Sequence, residues 1–213
     1  MSESLRQSTR GVFDYPISLA RRHGPRGYAD YASYKPWLRD EFLFRCVYCL
    51  SRERWKPEGQ DAFSVDHVRP QATHPDETGD YDNLVYACCS CNSSRRELPL
   101  PLDPVRDALA GHLRIAATGM AEPLTDAGRR LVELCHLNRA VLVEFRREFL
   151  QLLDLLNSVN DPRAVNALRS LLGFPQDLPD LANLRPPGGN SRPEGIRESC
   201  LAKRERGALP QTY

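Results

Sequence analysis

A chain of 213 residues has room for one domain, or for a small domain with an elaboration. With 41% hydrophobic and 27% charged residues it has the balance of a soluble globular protein, and no apolar run is long enough to cross a bilayer. A net charge of +1 excludes a uniformly basic surface, although the balance is uneven: residues 1–60 carry 11 Lys and Arg against 7 Asp and Glu, whereas residues 61–100 carry 3 against 7.

Four regions follow in chain order: an arm (1–40), a cysteine-rich module (41–102), a helical extension (103–174) and a tail (175–213). Residues 1–10 are polar and show no secretory signal, so the expected compartment is the cytoplasm. Pro36 suits the first turn of a helix, and Leu38 and Phe42 share a face, which predicts a short helix over 36–45. Phe63 and Val65 alternate with polar neighbours and predict a strand over 63–68, followed by a loop over 73–82. The apolar run 84–87 leads into the second cysteine pair. A short helix is expected over 92–97, stopped by Pro99 and Pro101. In the extension, Thr125 caps a helix reaching about His136. Val141, Phe145, Phe149, Leu152, Leu153 and Leu156 are expected on the apolar face of a second helix. Asp161-Pro162 opens a third, closed by Gly173 and Pro175. The tail, rich in Pro, Gly and charge, is expected to be poorly ordered.

Of seven cysteines, four form two matched pairs, Cys46-x2-Cys49 and Cys88-x2-Cys91. An odd, clustered set points to metal ligation in a reducing compartment rather than to a disulfide framework. Each pair lets two thiolates converge on one ion, and four sulfurs leave no open position, so the expected zinc is structural. Cys89 breaks the knuckle spacing. Cys135 reads as core, and Cys200 as an exposed thiol in the tail.

The long loop between the pairs holds Asp66-His67 and Asn83, and Asn92 follows the last ligand. Hydrolysis of a phosphodiester needs a base for water and a cation for the phosphate. Asp66 and His67 are neighbours on a strand, so a bulge or bend would be needed to bring both side chains to one face. Together, Cys46-Val47-Tyr48-Cys49, Val65-Asp66-His67-Val68-Arg69-Pro70, Asp82-Asn83-Leu84-Val85 and Ala87-Cys88-Cys89-Ser90-Cys91-Asn92 resemble the HNH endonuclease family. The resemblance covers about residues 41–100. It implies an α+β protein with a ββα-metal HNH module braced by the four-cysteine zinc site and flanked by helical regions. It also implies that His67 is the general base, that Asp66 and Asn92 ligate one divalent ion (Mg2+ or Mn2+), and that Asn83 holds the loop and orients His67. Many family members have histidine where Asn92 stands. Arg95, where the family often carries lysine, and Arg69 are the expected contacts to nucleic acid.

The implied activity is endonucleolytic hydrolysis of DNA that leaves a 5′-phosphate. The extension (Pro99 to Pro104, Leu124 to Gly128, Leu137 to Arg139) is similar to that of HNH proteins in bacterial defence systems, which implies an anti-phage effector with an ATPase partner. Two other readings stay open on the residues alone: a non-catalytic zinc module binding nucleic acid or protein, and a nuclease directed at RNA.

Overall fold

The structure is a computed structural model, and it describes residue 9 and residues 11–158 and 161–213. The polar stretch 1–10 therefore lies outside the described residues, Thr9 apart. Helix α1 (Lys35–Glu41) carries Pro36 in its first turn, but it ends earlier than expected. Leu43 and Phe44 adopt left-handed backbone, φ 52° and 57°, and turn the chain into the first knuckle. Strands β1 (Phe63–His67) and β2 (Leu84–Cys88) pair antiparallel, in register from Phe63↔Cys88 to His67↔Leu84. Phe63 stacks on Tyr86, ring centroids 5.1 Å apart, a pair worth about 0.5–1.5 kcal/mol beyond its burial.

Helix α2 (Cys89–Arg95) leaves β2 directly and packs on both strands, which makes the ββα unit. It starts three residues before the expected point, and left-handed Arg96 (φ 57°) ends it. The chain is thus α+β: a two-stranded sheet with its helix, a second small hairpin, and helices around them. No described helix is long and apolar enough to cross a membrane.

The extension departs from the all-helical expectation at its start. Strands β3 (Leu113–Ile115) and β4 (Ala121–Pro123) form a hairpin, each too short for its periodicity to show in the sequence. Thr125 caps α3 (Asp126–Leu134) by accepting from the Gly128 amide. The longest helix, α4 (Ala140–Ser158), buries Leu142, Arg146, Phe149 and Leu153. That is one stripe at helical spacing, and it corrects the expected face: Val141 is 77% exposed and Leu152 also reaches solvent. An arginine in the stripe hid it. Asp161 caps α5 (Pro162–Leu172), and Gly173 follows its end, both as expected.

Residues 175–213, expected as a poorly ordered tail, are instead bound to the rest of the fold. Arg26 donates its amide to the Gly189 carbonyl and accepts from the Gly188 amide beside the bridge Pro25↔Asn190, and Ser191 donates to the Gly24 carbonyl. Gly27 is required here: its φ is +81°, and a Cβ would stand 2.5 Å from the Gly188 nitrogen. Helix α6 (Cys200–Glu205) seats the Cys200 amide on the Asp40 carboxylate at 2.6 Å. Cys200 is therefore 2% exposed, not the surface thiol expected. The segment has few large apolar groups, but backbone pairing and buried charge hold it. That is why composition alone misread it.

Candidate active site and metal centre

The four knuckle cysteines come together as the spacing requires. Their sulfurs lie within 4.8 Å of one another, all buried, and Cys49 Sγ is 3.6 Å from Cys88 Sγ. A tetrahedron with zinc–sulfur bonds of about 2.3 Å separates its sulfurs by about 3.8 Å, so the cluster fits a zinc ion. The first knuckle is closed by Leu50 N–H donating to the Cys46 carbonyl and tied to β2 by Val47 N–H donating to Tyr86. Cys89 is exposed and outside the cluster, and Cys135 is buried in the core, both as expected.

Four thiolates on a zinc ion leave a net charge of about −2, which a buried site must offset. The extension supplies the offset. Arg139 places Nη1 3.9 Å from Cys91 Sγ. Arg146, fully buried, donates to the carbonyls of Cys49 (3.3 Å), Leu137 (2.9 Å) and Gly119 (3.3 Å). Neither arginine stood out in the sequence. The only available signal was the position of Arg146 four residues after Leu142 and three before Phe149.

His67 ends β1. Its Nε2 is 3.0 Å from the Thr78 carbonyl, its ring meets Tyr31 edge-on at 4.7 Å, and the Gln71 amide nitrogen lies 3.2 Å from Nδ1 and 3.1 Å from Nε2. Burial pushes the imidazole below its ordinary pKa, while the Thr78 carbonyl and the Asp66 charge pull it up. A donor facing a carbonyl fixes the proton on Nε2 and leaves Nδ1 as the acceptor. His67 is 7% exposed, and the Gln71 amide stands against both of its ring nitrogens. The sequence reading missed Gln71, Tyr31 and Thr78.

Asn83 bonds to the backbone of the loop. Its Oδ1 accepts from the Arg69 amide at 2.8 Å, and its Nδ2 donates to the carbonyls of Arg69 (3.1 Å) and Glu77 (3.3 Å). The segment carrying Thr78 is thereby fixed against β1. Arg69 stays partly exposed, in contact with Glu77.

The pairing of β1 with β2 runs through His67↔Leu84 without a bulge, and Asp66 and His67 have different side-chain partners. Asp66, 4% exposed, accepts from Tyr48 Oη at 2.7 Å on Oδ2, and from the His67 amide at 2.8 Å and Arg95 Nη1 on Oδ1. Burial pushes this carboxyl up; Arg95, Tyr48 and the His67 amide pull it down, and the balance is upward. Arg95 is 1% exposed and also donates to the Val68 carbonyl, so the expected phosphate contact is corrected: the guanidinium lies in the interior, because it neutralises Asp66.

Asn92 stands on α2 with Nδ2 donating to Ser64 Oγ at 2.9 Å and to the Val65 carbonyl at 3.4 Å; its Oδ1 accepts no hydrogen bond among the described residues. That oxygen suits a hard cation. The Asp66 half of the expected pair does not, since a guanidinium already occupies it. As it stands, the donor set does not fit a divalent ion.

No curated protein matches the chain. Residues 46–97, which run from the first zinc-cluster cysteine to just past α2, match the family model for HNH endonucleases.

Proposed function

We propose that the protein hydrolyses DNA phosphodiester bonds, with His67 as the general base. The observation that carries this reading is the 3.0 Å contact from His67 Nε2 to the Thr78 carbonyl, which leaves Nδ1 to receive a proton. With Gln71 swung aside, a water at Nδ1 would give up that proton as its oxygen forms a bond to phosphorus. The bond to the 3′ oxygen would then break, leaving a 5′-phosphate and a 3′ alkoxide that takes a proton from solvent water to become the 3′-hydroxyl. Asn83 keeps Thr78 in place so that the imidazole holds one tautomer. Arg69, at the rim, would exchange Glu77 for a backbone phosphate.

Asp66 serves Arg95 rather than a metal in this arrangement, so the proton transfer rests on His67 alone. The defence and ATPase expectation draws on residues beyond 97, where the family match ends.

Zinc-loaded protein incubated with plasmid DNA and Mg2+ or Mn2+ should nick or cut it, and His67→Ala should lower the rate by about 10²-fold or more. Equal cutting by the wild type and His67→Ala would remove His67 as the base. A parallel arm with single-stranded RNA separates the two substrate classes, and far-UV circular dichroism in the EDTA control separates loss of the reaction from loss of the zinc fold.

A further inference from the structure

The position where a divalent ion would stand on Asp66 is held by Arg95. We infer that Arg95 is a built-in counter-cation, and that the Arg95–Asp66 pair and a divalent ion on Asp66 exclude each other. The inference takes the place of the ion from the nuclease reading; the exclusion itself is read from the geometry.

Asp66 Oδ1 is shared between the His67 amide and Arg95 Nη1, and Oδ2 accepts from Tyr48. A metal bonded to either oxygen would stand within about 5 Å of a buried guanidinium, where like charges repel strongly. The carboxylate is nearly closed to solvent, so water cannot screen that repulsion. Entry of the ion therefore requires exit of the guanidinium.

Three features make that exit feasible. Arg95 is the last residue of α2, and its neighbour Arg96 already leaves the helix in left-handed backbone. Its Nε is buried with no hydrogen-bond partner, so the pair leaves part of the guanidinium unsatisfied. Asn92, one turn earlier on the same helix, has its amide nitrogen anchored to β1 and its oxygen unused. One donor is ready, and the other is blocked by a side chain three residues along the same helix. Arg95 thus sets the ion threshold of the site and keeps Asp66 oriented below that threshold.

The test is a Mn2+ titration of the zinc-loaded full chain, followed by electron paramagnetic resonance, for the wild type, Arg95→Met and Arg95→Met/Asp66→Asn. Arg95→Met should bind Mn2+ about tenfold tighter than the wild type or better, and the added Asp66→Asn should abolish the gain. Equal or weaker binding by Arg95→Met overturns the inference. Should Arg95→Met fail to fold, the wild type is read by nitrogen-15 NMR of the arginine side chains during a Mg2+ titration. Arg95 should stay in slow proton exchange while the site is free of Mg2+ and move to fast exchange once the ion binds; a Mg2+-induced shift of the Asn92 side-chain amide with the Arg95 signal unchanged overturns the inference. Binding is measured without cleavage, so an inactive protein that still shows the Arg95 effect overturns the nuclease reading and leaves this one standing.

Discussion

Arg146, midway along α4, donates through Nη2 to the carbonyl oxygen of Cys49. A helix outside the family match therefore closes the back of the first zinc knuckle, 97 residues away in sequence. Arg139, just before the same helix, approaches the sulfur of Cys91. The two knuckles are each braced by one arginine from the extension.

Replacing Arg139 by Met should leave the fold intact and speed zinc transfer to a chromophoric chelator by about tenfold, since outer-shell partners are commonly worth that much in metal affinity. Replacing Arg146 by Met should cost about 3 kcal/mol in stability, because three buried carbonyls lose a charged donor. Zinc-release kinetics and denaturant melts check the pair. Unchanged release from Arg139→Met would reduce that residue to a surface contact.

Stripping the zinc should unfold the module rather than merely inactivate it. The cluster ties the base of the first knuckle to the start of α2, and structural zinc contributes folding free energy directly. Chelation, or Cys88→Ser, should abolish the near-ultraviolet dichroism of Tyr48 and Tyr86, both buried beside the cluster. Zinc added back should restore it only in the unsubstituted chain.

Asn83→Ala should free the 70–80 segment. It removes three hydrogen bonds to backbone groups, at a cost of about 2 kcal/mol. Hydrogen exchange should show lost protection at Arg69, whose amide bonds Asn83 directly, with β3 and α4 unaffected.

The pH dependence of stability should carry an Asp40 component at the acid end. Burial alone would push this carboxyl up, but the His23 hydrogen bond, the Arg22 charge and the Cys200 amide outweigh it and hold it below the ordinary value of 3.8. A carboxyl depressed in the folded state contributes fully above its unfolded pKa, and the contribution fades as pH falls through the folded one. Asp40→Asn should therefore be less stable than the wild type at pH 7, and its melting temperature should fall less steeply below about pH 4. Parallel curves for the two proteins would show that Asp40 is not the titrating group.

On α4, Val141→Lys should change stability by no more than about 0.5 kcal/mol, while Phe149→Ala should cost about 3–5 kcal/mol. Phe149 lies on both the observed and the expected face, so thermal melts of Val141→Lys decide between them.

Punctuation was the legible part of this chain. Thr125 and Asp161-Pro162 announced their helices because a cap is a local event, decided by one side chain and the next few amides. The cysteine spacing was legible for the same reason, since a knuckle closes on itself within five residues. What stayed hidden was long-range. Arg146 and Arg95 are charged residues with interior addresses, and each is explained only by an acceptor brought to it by tertiary folding. His67 and Asn83 were nameable from their motif, but the partners of His67, Thr78 and Gln71, and those of Asn83, Arg69 and Glu77, lie in a stretch with no periodic signal. Asp66 was recognised as a carboxylate with a cation to meet; that the cation is a guanidinium could not be seen before α2 was in place.

The pairing of the strip beside Gly24 with the strip beside Asn190 has a practical consequence. Arg192, on the far strip, grips Asp82 with two hydrogen bonds, next door to the asparagine that pins the His67 loop. Recombinant expression of only the stretch that the family match recognises would thus discard the splints that shape it. What makes the sequence recognisable and what makes it fold are different sets of residues.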